Sequence, residues 1–540
     1  MPSNRRTQHN GSSLASRSRY TTPSVRLGHA TVIGARNGSV ESFLGIPYAE
    51  PPVGDLRLQL PRLTQSYNGT LNATNYGHPC LQQAAATPAQ LPPEVLQALE
   101  PLLVASSVTA DVTESEDCLY LNVVRPANIS TGANLPVIFW IYGGSFTDGS
   151  NAMLFYNGTA IVQRSIELNR PAIYVALNYR LNVFGFLGGK EVKEAGIGNL
   201  GLHDQRTALR WVNRFIRLFG GDPSKVTIWG ESAGALSVFL HLYTNSGDPE
   251  GLFRAAIMNS GTSVPTRDLT EVQGTYDFVV NQVGCSNATD TLACLRSVPA
   301  DSLLNAANMV SNDNTPFLPR VDGSFVTTPP MYLPSRGKIA DVPLITGDVK
   351  DEGTLFTFGG LDSTADDDEF ISYVSRFLLP GATPADLRSL LQLYPSDPAA
   401  GSPFDTGDAN AFSPQYKRLS AVFGDWFFYG PRRLLLEKVS AKRPVYNFLS
   451  ARGNFTGVGD FHGSDLFNAF GPGDMTDYFV RFVHDLDPNG PTGIQWPRYN
   501  TSARLTLQFN DGDVPINITV DNERLAGTEE LTSLTLRFPL

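Results

Sequence analysis

One stretch of the sequence, KVTIWGESAGALSVFLHLY at residues 225–243, constrains the fold more than any other. Its first five residues are mostly β-branched or aromatic, which predicts a buried strand, and its last eleven form a largely apolar run without proline, which predicts a helix. Only the segment GES separates the two, so the chain must turn sharply at Ser232. Gly230 and Gly234 flank the turn, where the strand and helix backbones come close.

Apolar, β-rich segments alternate with helical patterns through the first two thirds of the chain. Besides 225–229, the predicted strands lie at residues 135–144, 172–180, 252–261, 342–348 and 443–450. Residues 204–219 have apolar side chains at helical spacing and predict a helix. Strands that are apolar on both faces and separated by helices indicate an α/β fold with a mostly parallel sheet covered on both sides.

The domain organisation follows from what interrupts this alternation. Residues 1–20 are polar and basic and contain no apolar core, so we expect a disordered leader and identify no signal peptide. Residues 21–540 contain no clear linker or repeat and predict a single domain. Segments at about 265–335 and 360–440 are helical and loop-rich, and we interpret them as excursions from the sheet.

Charge excludes several classes of partner. The chain has 41 Lys and Arg against 52 Asp and Glu, a net charge of −11. Nucleic acids and anionic lipid head groups both require clustered basic side chains, so neither is an expected partner. No apolar run in the sequence reaches the length of a transmembrane segment.

Cysteine and asparagine patterns favour secretion. The four cysteines form two close pairs, Cys80 with Cys118 and Cys285 with Cys294, as expected for disulfides that close local loops. The alternative is four free thiols in a cytosolic protein. Ten N-x-S/T sequons occur where chance would give about five. They begin at Asn10, Asn37, Asn68, Asn72, Asn128, Asn157, Asn287, Asn454, Asn500 and Asn517.

The G-x-S-x-G turn predicts that Ser232 is a nucleophile, rather than a capping serine in a glycine-rich turn. A serine hydroxyl needs a general base, and in this architecture the acid and then the histidine follow the serine. His462 lies in a glycine-rich loop after a predicted strand, whereas His484 lies in a helical run and is interpreted as structural. The acid follows the strand 342–348, and the spacing alone does not choose among Asp348, Asp351 and Glu352.

An oxyanion formed at Ser232 needs backbone donors. One is the N–H of the next residue, Ala233. The others are expected in a glycine-rich loop after an early strand, and WIYGGSF at residues 140–146 offers Gly144 and Ser145. The alternative for this loop is a plain turn.

Several motifs together resemble the type-B carboxylesterase/lipase family, which has an α/β-hydrolase fold. They are EDCLYLNV at 116–123, FGGDPSKVTIWGESAG at 219–234, DEGT at 351–354 and the later FH at 461–462. The similarity is greatest to the secreted fungal lipase and sterol esterase branch, through residues 401–425 and HDLDPN. The resemblance implies a triad of Ser232, His462 and Glu352, and oxyanion donors at Gly144, Ser145 and Ala233. It also implies the disulfides Cys80–Cys118 and Cys285–Cys294. Ser145 replaces the third glycine of the family's GGG motif. Its backbone N–H is kept, and its side chain is expected either to crowd a bulky acyl group or to bond the oxyanion, which concerns the range of substrates and not catalysis.

The loop between Cys80 and Cys118 contains LPPEVLQALEPLLVAS, which predicts an amphipathic helix ended or kinked at Pro101. Its apolar residues are expected on one face: Val95, Leu96, Leu99, Leu102 and Leu103. In the lipase branch this loop resembles a lid over the site, and Phe356 matches a position that lines the acyl tunnel. The alternative is an ordinary packed surface helix.

The sequence therefore predicts a secreted ester hydrolase for lipid-like esters, which needs no metal and no cofactor. Its substrates are expected to be triacylglycerols, sterol esters or other long-chain esters, met in solution or at a lipid–water interface. We expect a monomer or homodimer. A short-chain or aryl carboxylesterase, or a non-catalytic binding protein on the same scaffold, are the alternatives.

Overall fold

A computed structural model describes residues 22–83, 91–105, 112–310 and 315–540. The expected leader at residues 1–20, with Asn10, lies outside these ranges, as do parts of the predicted lid loop 80–118. None of the described helices is long and apolar enough to cross a bilayer.

The strands are, in chain order, β1 (Ser24–Leu27), β2 (His29–Ile33), β3 (Ala35–Asn37), β4 (Val40–Pro47), β5 (Asn68–Asn72), β6 (Tyr120–Pro126), β7 (Leu135–Ile141), β8 (Ile173–Leu177), β9 (Gly221–Glu231), β10 (Ala255–Asn259), β11 (Leu344–Val349), β12 (Val445–Ala451), β13 (Leu505–Asn510) and β14 (Ile516–Val520). The first helices are α1 (Pro93–Ala105), α2 (Thr159–Glu167), α3 (Asn182–Phe186), α4 (Lys190–Glu194), α5 (Leu200–Phe215), α6 (Ala233–Gly247), α7 (Gln273–Gln282), α8 (Thr291–Ser297) and α9 (Ala300–Asn308). They are followed by α10 (Leu333–Arg336), α11 (Asp367–Tyr373), α12 (Pro384–Leu393), α13 (Tyr416–Gly424), α14 (Gly430–Val439), α15 (Leu466–Ala469), α16 (Asp474–Asp485) and α17 (Leu525–Arg537).

Eleven strands form the central sheet, in the order β14-β13-β12-β11-β10-β9-β7-β8-β6-β4-β3. The strands from β8 through β7, β9, β10, β11 and β12 to β13 pair in parallel. The two margins of the sheet are antiparallel. The prediction of a mostly parallel α/β sheet is confirmed.

The central strands are buried because helices cover both faces of the sheet. Every residue of β8, β10 and β11 is buried. Aromatic rings fill the layer beside β7 and β9, where Trp140 packs edge-on against Trp229 at 5.1 Å and Phe470 stacks on Trp229 at 5.3 Å. This layer supports the strands that end at the site.

The predicted elements inside this layer form with small shifts in their ends. The strand expected at 225–229 extends over Gly221–Glu231. The helix expected at 204–219 is α5, which continues into the 3-10 turn Ile216–Phe219. Both expected disulfides, Cys80–Cys118 and Cys285–Cys294, are present. The helices α7 to α10 and α11 to α14 occupy the two expected excursions, although the division into domains stays a prediction.

The parallel strands direct the site residues to one edge of the sheet, because their carboxyl ends all point the same way. Gly144 and Ser145 follow β7, and Ser232 immediately follows β9. Glu352 follows β11, and His462 lies in the loop after β12. Four segments that are distant in sequence therefore meet above the sheet.

Candidate active site

Ser232 occupies a strained turn between β9 and α6. Its backbone has φ 54° and ψ −127°, a conformation that L-residues rarely adopt. The Ser232 N–H donates to the carbonyl of Asn259 at 3.0 Å, and its carbonyl accepts from the N–H of Leu236 at 2.9 Å. These bonds hold the side chain, which is partly exposed, at the N-terminus of α6.

The two flanking glycines are required by close backbone approach. A Cβ on Gly230 would lie 2.3 Å from the carbonyl carbon of Gly234, and a Cβ on Gly234 would lie 2.0 Å from the carbonyl oxygen of Ile141. No side chain fits at either distance. The turn is therefore specified by the sequence, as the G-x-S-x-G pattern predicts.

His462 and Glu352 form a buried hydrogen-bonded pair. Nδ1 of His462 lies 2.6 Å from Oε2 of Glu352, whose side chain is fully buried. The other carboxylate oxygen of Glu352 accepts from the N–H of Val349 at 2.9 Å. This arrangement fixes the ring and leaves Nε2 of His462 free to face other groups.

The other two candidate acids are committed elsewhere. The carboxylate of Asp348 accepts from Nε of Arg432 at 2.6 Å. Asp351 accepts from the hydroxyl of Ser402 at 2.7 Å and from the backbone of Phe404 and Asp460. Of the three acids that the sequence left open, Glu352 is the one that contacts His462.

The loop after β7 lies directly against the serine turn. A Cβ on Gly143 would be 2.8 Å from the Cβ of Ser232. Gly144 and Ser145 have φ of 102° and 55°, and the carbonyl of Gly144 accepts from Thr147 and Asp148. Within the described residues, the N–H groups of Gly144, Ser145 and Ala233 make no backbone hydrogen bond. The side chain of Ser145 is exposed.

Phenylalanine rings border His462 on one side. The ring centroids of Phe356 and Phe428 lie 5.1 and 4.7 Å from that of His462. Phe423 stacks on Phe356 at 4.8 Å, and Phe427 stacks on Phe423. Phe356, Phe423 and Phe427 are half-buried. The rings form an apolar wall that leads away from the imidazole.

A model of the carboxylesterase family matches residues 21–526. The chain belongs to this family. Secreted lipase 1 of Botryotinia fuckeliana is 42% identical over 520 residues, covering 90% of this chain and 89% of that protein. Secreted triacylglycerol lipase LIP1 of Gibberella zeae is 39% identical over 507 residues, covering 89% of this chain and 85% of that protein. The solved structure of Aspergillus niger EstA has a TM-score of 0.81 at 29% identity and covers 96% of this chain and 99% of its own.

Membership of the carboxylesterase family, together with these relatives, makes the protein a carboxylic ester hydrolase with an α/β-hydrolase fold. The family assignment inferred from the sequence motifs is confirmed.

The predicted lid helix of this carboxylesterase forms, and its apolar face is partly buried and partly exposed. Val95 and Leu99 are buried and Leu102 is half-buried. Leu96 is 47% exposed and Leu103 is 59% exposed, so only part of the predicted apolar face is buried against the protein, and the role of this face as a lid stays a prediction. Successive residues of a helix are rotated by about 100°, which puts Leu96 and Leu103 at one margin of the apolar face. The apolar cluster beneath the helix contacts the middle of this face and does not extend to that margin. The helix also continues through Pro101 and does not end there.

The buried face of α1 packs on the loop that leads to His462. Val95 and Leu99 belong to one apolar cluster with Phe358, Val458 and Phe461. A Cβ on Gly457 would lie 2.6 Å from Cγ2 of Val95. The helix is therefore in direct contact with the segment that carries the predicted base.

Sequence reasoning missed two buried acids beside the imidazole. Oε1 of Glu231 lies 3.3 Å from Nε2 of His462, and Asp465 accepts from the side-chain amide of Asn259 at 2.7 Å. The signals were present: Glu231 is the variable residue before Ser232 in G-x-S-x-G, and Asp465 follows His462 by three residues. Neither position could be placed without the fold.

Burial and charge act against each other at this site. Burial raises the pKa of Glu231 to about 8 and the pKa of Asp465 to about 6. Burial alone would lower the pKa of His462, but Glu231 and Glu352 together outweigh it and raise that pKa to about 9. The buried carboxylates of Glu231 and Glu352 therefore stabilise the protonated form of the His462 imidazole.

Proposed function

We propose that this carboxylesterase hydrolyses lipid-like esters through Ser232, His462 and Glu352, by way of an acyl-enzyme. The contact of 2.6 Å between Nδ1 of His462 and Oε2 of Glu352, beside the strained Ser232 turn, is the observation that supports it best. A buried carboxylate on one ring nitrogen leaves the other nitrogen to act on a hydroxyl, which is the logic of a serine triad.

The reaction has two symmetrical halves. Oγ of Ser232 attacks the ester carbonyl while Nε2 of His462 takes the hydroxyl proton, and Glu352 holds the ring and stabilises the imidazolium. The imidazolium then protonates the leaving alcohol. Water attacks the acyl-enzyme in the same way, with His462 again as base, and the carboxylic acid leaves.

The oxyanion of each tetrahedral intermediate would be bound by the N–H groups of Gly144, Ser145 and Ala233. Two features support this assignment: the glycine loop lies against the Ser232 turn, and none of the three N–H groups is used by a described backbone acceptor. Donors held in this way stabilise the developing charge without rearrangement, and one such donor contributes about 2.7–4 kcal/mol in known cases.

Two features favour long apolar acyl chains. The half-buried rings of Phe356, Phe423 and Phe427 contact one another in series beside His462 and offer an apolar surface to an acyl chain. The helix α1 exposes Leu96 and Leu103, which is a poor arrangement in water and a favourable one at a lipid surface. Relatives named as secreted lipases agree with this substrate class.

We also propose that the protein is secreted. It contains two disulfides, which persist in oxidising compartments, and two of its relatives are named as secreted lipases.

Two measurements test the proposed function. Ser232→Ala should abolish ester turnover and labelling by a fluorophosphonate, whereas Ser224→Ala, at an exposed serine, should leave both unchanged. Retention of activity in Ser232→Ala would disprove the proposed nucleophile.

The second measurement is the turnover of a series of nitrophenyl esters from acetate to palmitate, which should peak at medium or long chains. A peak at acetate or butyrate would support a short-chain carboxylesterase, and no turnover of any ester would support a non-catalytic role.

A further inference from the structure

Four of the predicted glycosylation sequons lie on strands at the edges of the two sheets. Asn37 is on β3 and Asn517 is on β14, the two outermost strands of the eleven-stranded sheet as described. Asn68 and Asn72 are on β5, the outer strand of a small sheet ordered β1-β2-β5. Three of the four described sheet edges therefore carry at least one sequon.

This distribution is far from even. The three strands have three, five and five residues, yet they hold four of the nine sequons in the described ranges of this 540-residue chain. The remaining edge strand, β1, has no sequon, and it packs against the 3-10 turn Ile216–Phe219. Among the described elements, β3, β5 and β14 pack closely only against their neighbours in the sheet, so the sequons occur on the edges without a comparable packing partner.

An uncovered edge strand is a hazard because its outward N–H and C=O groups can pair with a strand of another molecule. The hazard is clearest at β14, where Val520 is 42% exposed and the neighbouring Val514 is 62% exposed. Proteins block such edges with lysine, proline, bulges or a covering element. A bulky hydrophilic group on the edge would have the same effect.

The asparagine side chains are accessible to modification. Asn37, Asn68 and Asn72 are exposed, and Asn517 is half-exposed. The side-chain oxygen Oδ1 of Asn517 accepts from the side-chain amide of Asn510 at 2.7 Å. The side-chain amide nitrogen of Asn517 is thereby left available for modification. The carbonyl oxygen of Asn72 accepts from the hydroxyl of Thr74, the third residue of its own sequon, at 2.9 Å.

We propose that Asn37, Asn68, Asn72 and Asn517 carry N-linked glycans that shield β3, β5 and β14 from pairing with other chains. The proposal relies on secretion, but it does not depend on the catalytic assignment. In the transfer, the asparagine amide nitrogen bonds to the anomeric carbon of a lipid-linked oligosaccharide. The bond from that carbon to the pyrophosphate oxygen breaks, the lipid pyrophosphate leaves with the electron pair, and the amide loses one proton.

The first test is a map of occupancy. The full chain is produced in a glycosylating fungal host, the glycans are removed by a glycosidase in ¹⁸O-water, and the labelled aspartates are located by peptide mass spectrometry. We expect label at all four edge positions. Unlabelled asparagine at the edges would overturn the proposal, whatever the ester turnover of the same sample.

The second test separates shielding from a general effect of glycans. An edge variant (Asn37→Gln, Asn68→Gln, Asn72→Gln, Asn517→Gln) is compared with a control variant that removes four loop sequons (Asn157→Gln, Asn287→Gln, Asn454→Gln, Asn500→Gln). At equal melting temperature and ester turnover, the edge variant should lose soluble protein about threefold faster than the control and bind thioflavin T. A third variant with lysine at the four edge positions should restore solubility, because charge also blocks edge pairing. Equal losses in the edge and control variants, or failure of lysine to restore solubility, would overturn the shielding role.

Discussion

Asp351 and Asp460 hydrogen-bond to each other in both directions. The N–H of Asp351 donates to the carbonyl of Asp460 at 3.0 Å, and the N–H of Asp460 donates to Oδ2 of Asp351 at 3.0 Å. Asp351 precedes Glu352, and Asp460 lies two residues before His462. The pair therefore ties the loop of the proposed acid to the loop of the proposed base.

The first prediction follows from this contact. In Asp351→Asn, a side-chain amide replaces the carboxylate that accepts these hydrogen bonds, and its NH2 group faces other donors. The free energy of unfolding should therefore fall by about 2 kcal/mol, and kcat by about tenfold. Urea denaturation and initial rates measure the two effects. The control Asp405→Asn removes an exposed carboxylate that pairs with Lys350, and it should change stability by no more than about 0.5 kcal/mol. Wild-type stability and turnover in Asp351→Asn would contradict the prediction.

The second prediction concerns pH. His462 must be neutral to accept the serine proton, so kcat/KM should rise with pH as the imidazole, with a pKa of about 9, loses its proton. Anionic Glu231 stabilises the imidazolium, so Glu231→Gln should move this midpoint to lower pH by about one unit. A pH profile of kcat/KM measures the shift, with Glu437→Gln on the exposed face of α14 as control. A midpoint that stays in place or moves upward would show that Glu231 does not act on His462.

The third prediction concerns acid stability. Burial alone would raise the pKa of Asp521, but Arg432 and Arg433 outweigh it and lower the pKa below its ordinary value. A lowered carboxylate pKa stabilises the fold above the unfolded value and loses this contribution as pH falls. Asp521→Asn should therefore be less stable than wild type by about 3 kcal/mol at pH 7, and the difference should shrink below about pH 4.

Denaturation curves at several pH values check this dependence. The control Asp485→Asn removes an ion pair with Arg170 whose side chains are 37% and 41% exposed, and it should have an effect within about 0.5 kcal/mol at every pH. A difference between Asp521→Asn and wild type that is independent of pH would refute the ionic contribution.

The fourth prediction tests the serine turn. Gly234→Ala places a methyl group 2.0 Å from the carbonyl oxygen of Ile141, so it should lower the free energy of unfolding by at least about 3 kcal/mol and abolish turnover. Gly274→Ala on α7 meets open space and should change stability by less than about 1 kcal/mol. Thermal unfolding and ester turnover of both variants are the measurements. A stable, active Gly234→Ala protein would show that the turn can relax.

The centre of the sheet was predictable because burial on both faces leaves a long apolar signal, as in β7 and β9. The edge strand β14 was not predicted, because INITV is short and half-exposed and resembles a polar loop. The local sequence also could not show which of the three candidate acids contacts the histidine. Asp348 is excluded by Arg432, which lies 84 residues away in sequence and reaches it only in the folded chain.

The lid helix shows the same limit. Helical spacing correctly groups Val95 and Leu99, but spacing does not reveal how wide the underlying surface is. The cluster around Phe358 and Phe461 ends before it reaches Leu96 or Leu103. Glu231 shows a further limit, because its neighbour in space, His462, is 231 residues away in the sequence.

The arrangement of the site over β9, β11 and β12 has a consequence for biosynthesis. Ser232 and Glu352 emerge from the ribosome well before His462, so a nascent chain holds the hydroxyl and the carboxylate without the imidazole that joins them. If the proposed triad is the catalytic one, ester hydrolysis begins only after most of the polypeptide has been translated and β12 has docked beside β11. An incomplete chain that lacks the segment after β12 would then be without esterase activity, whatever the state of the serine turn.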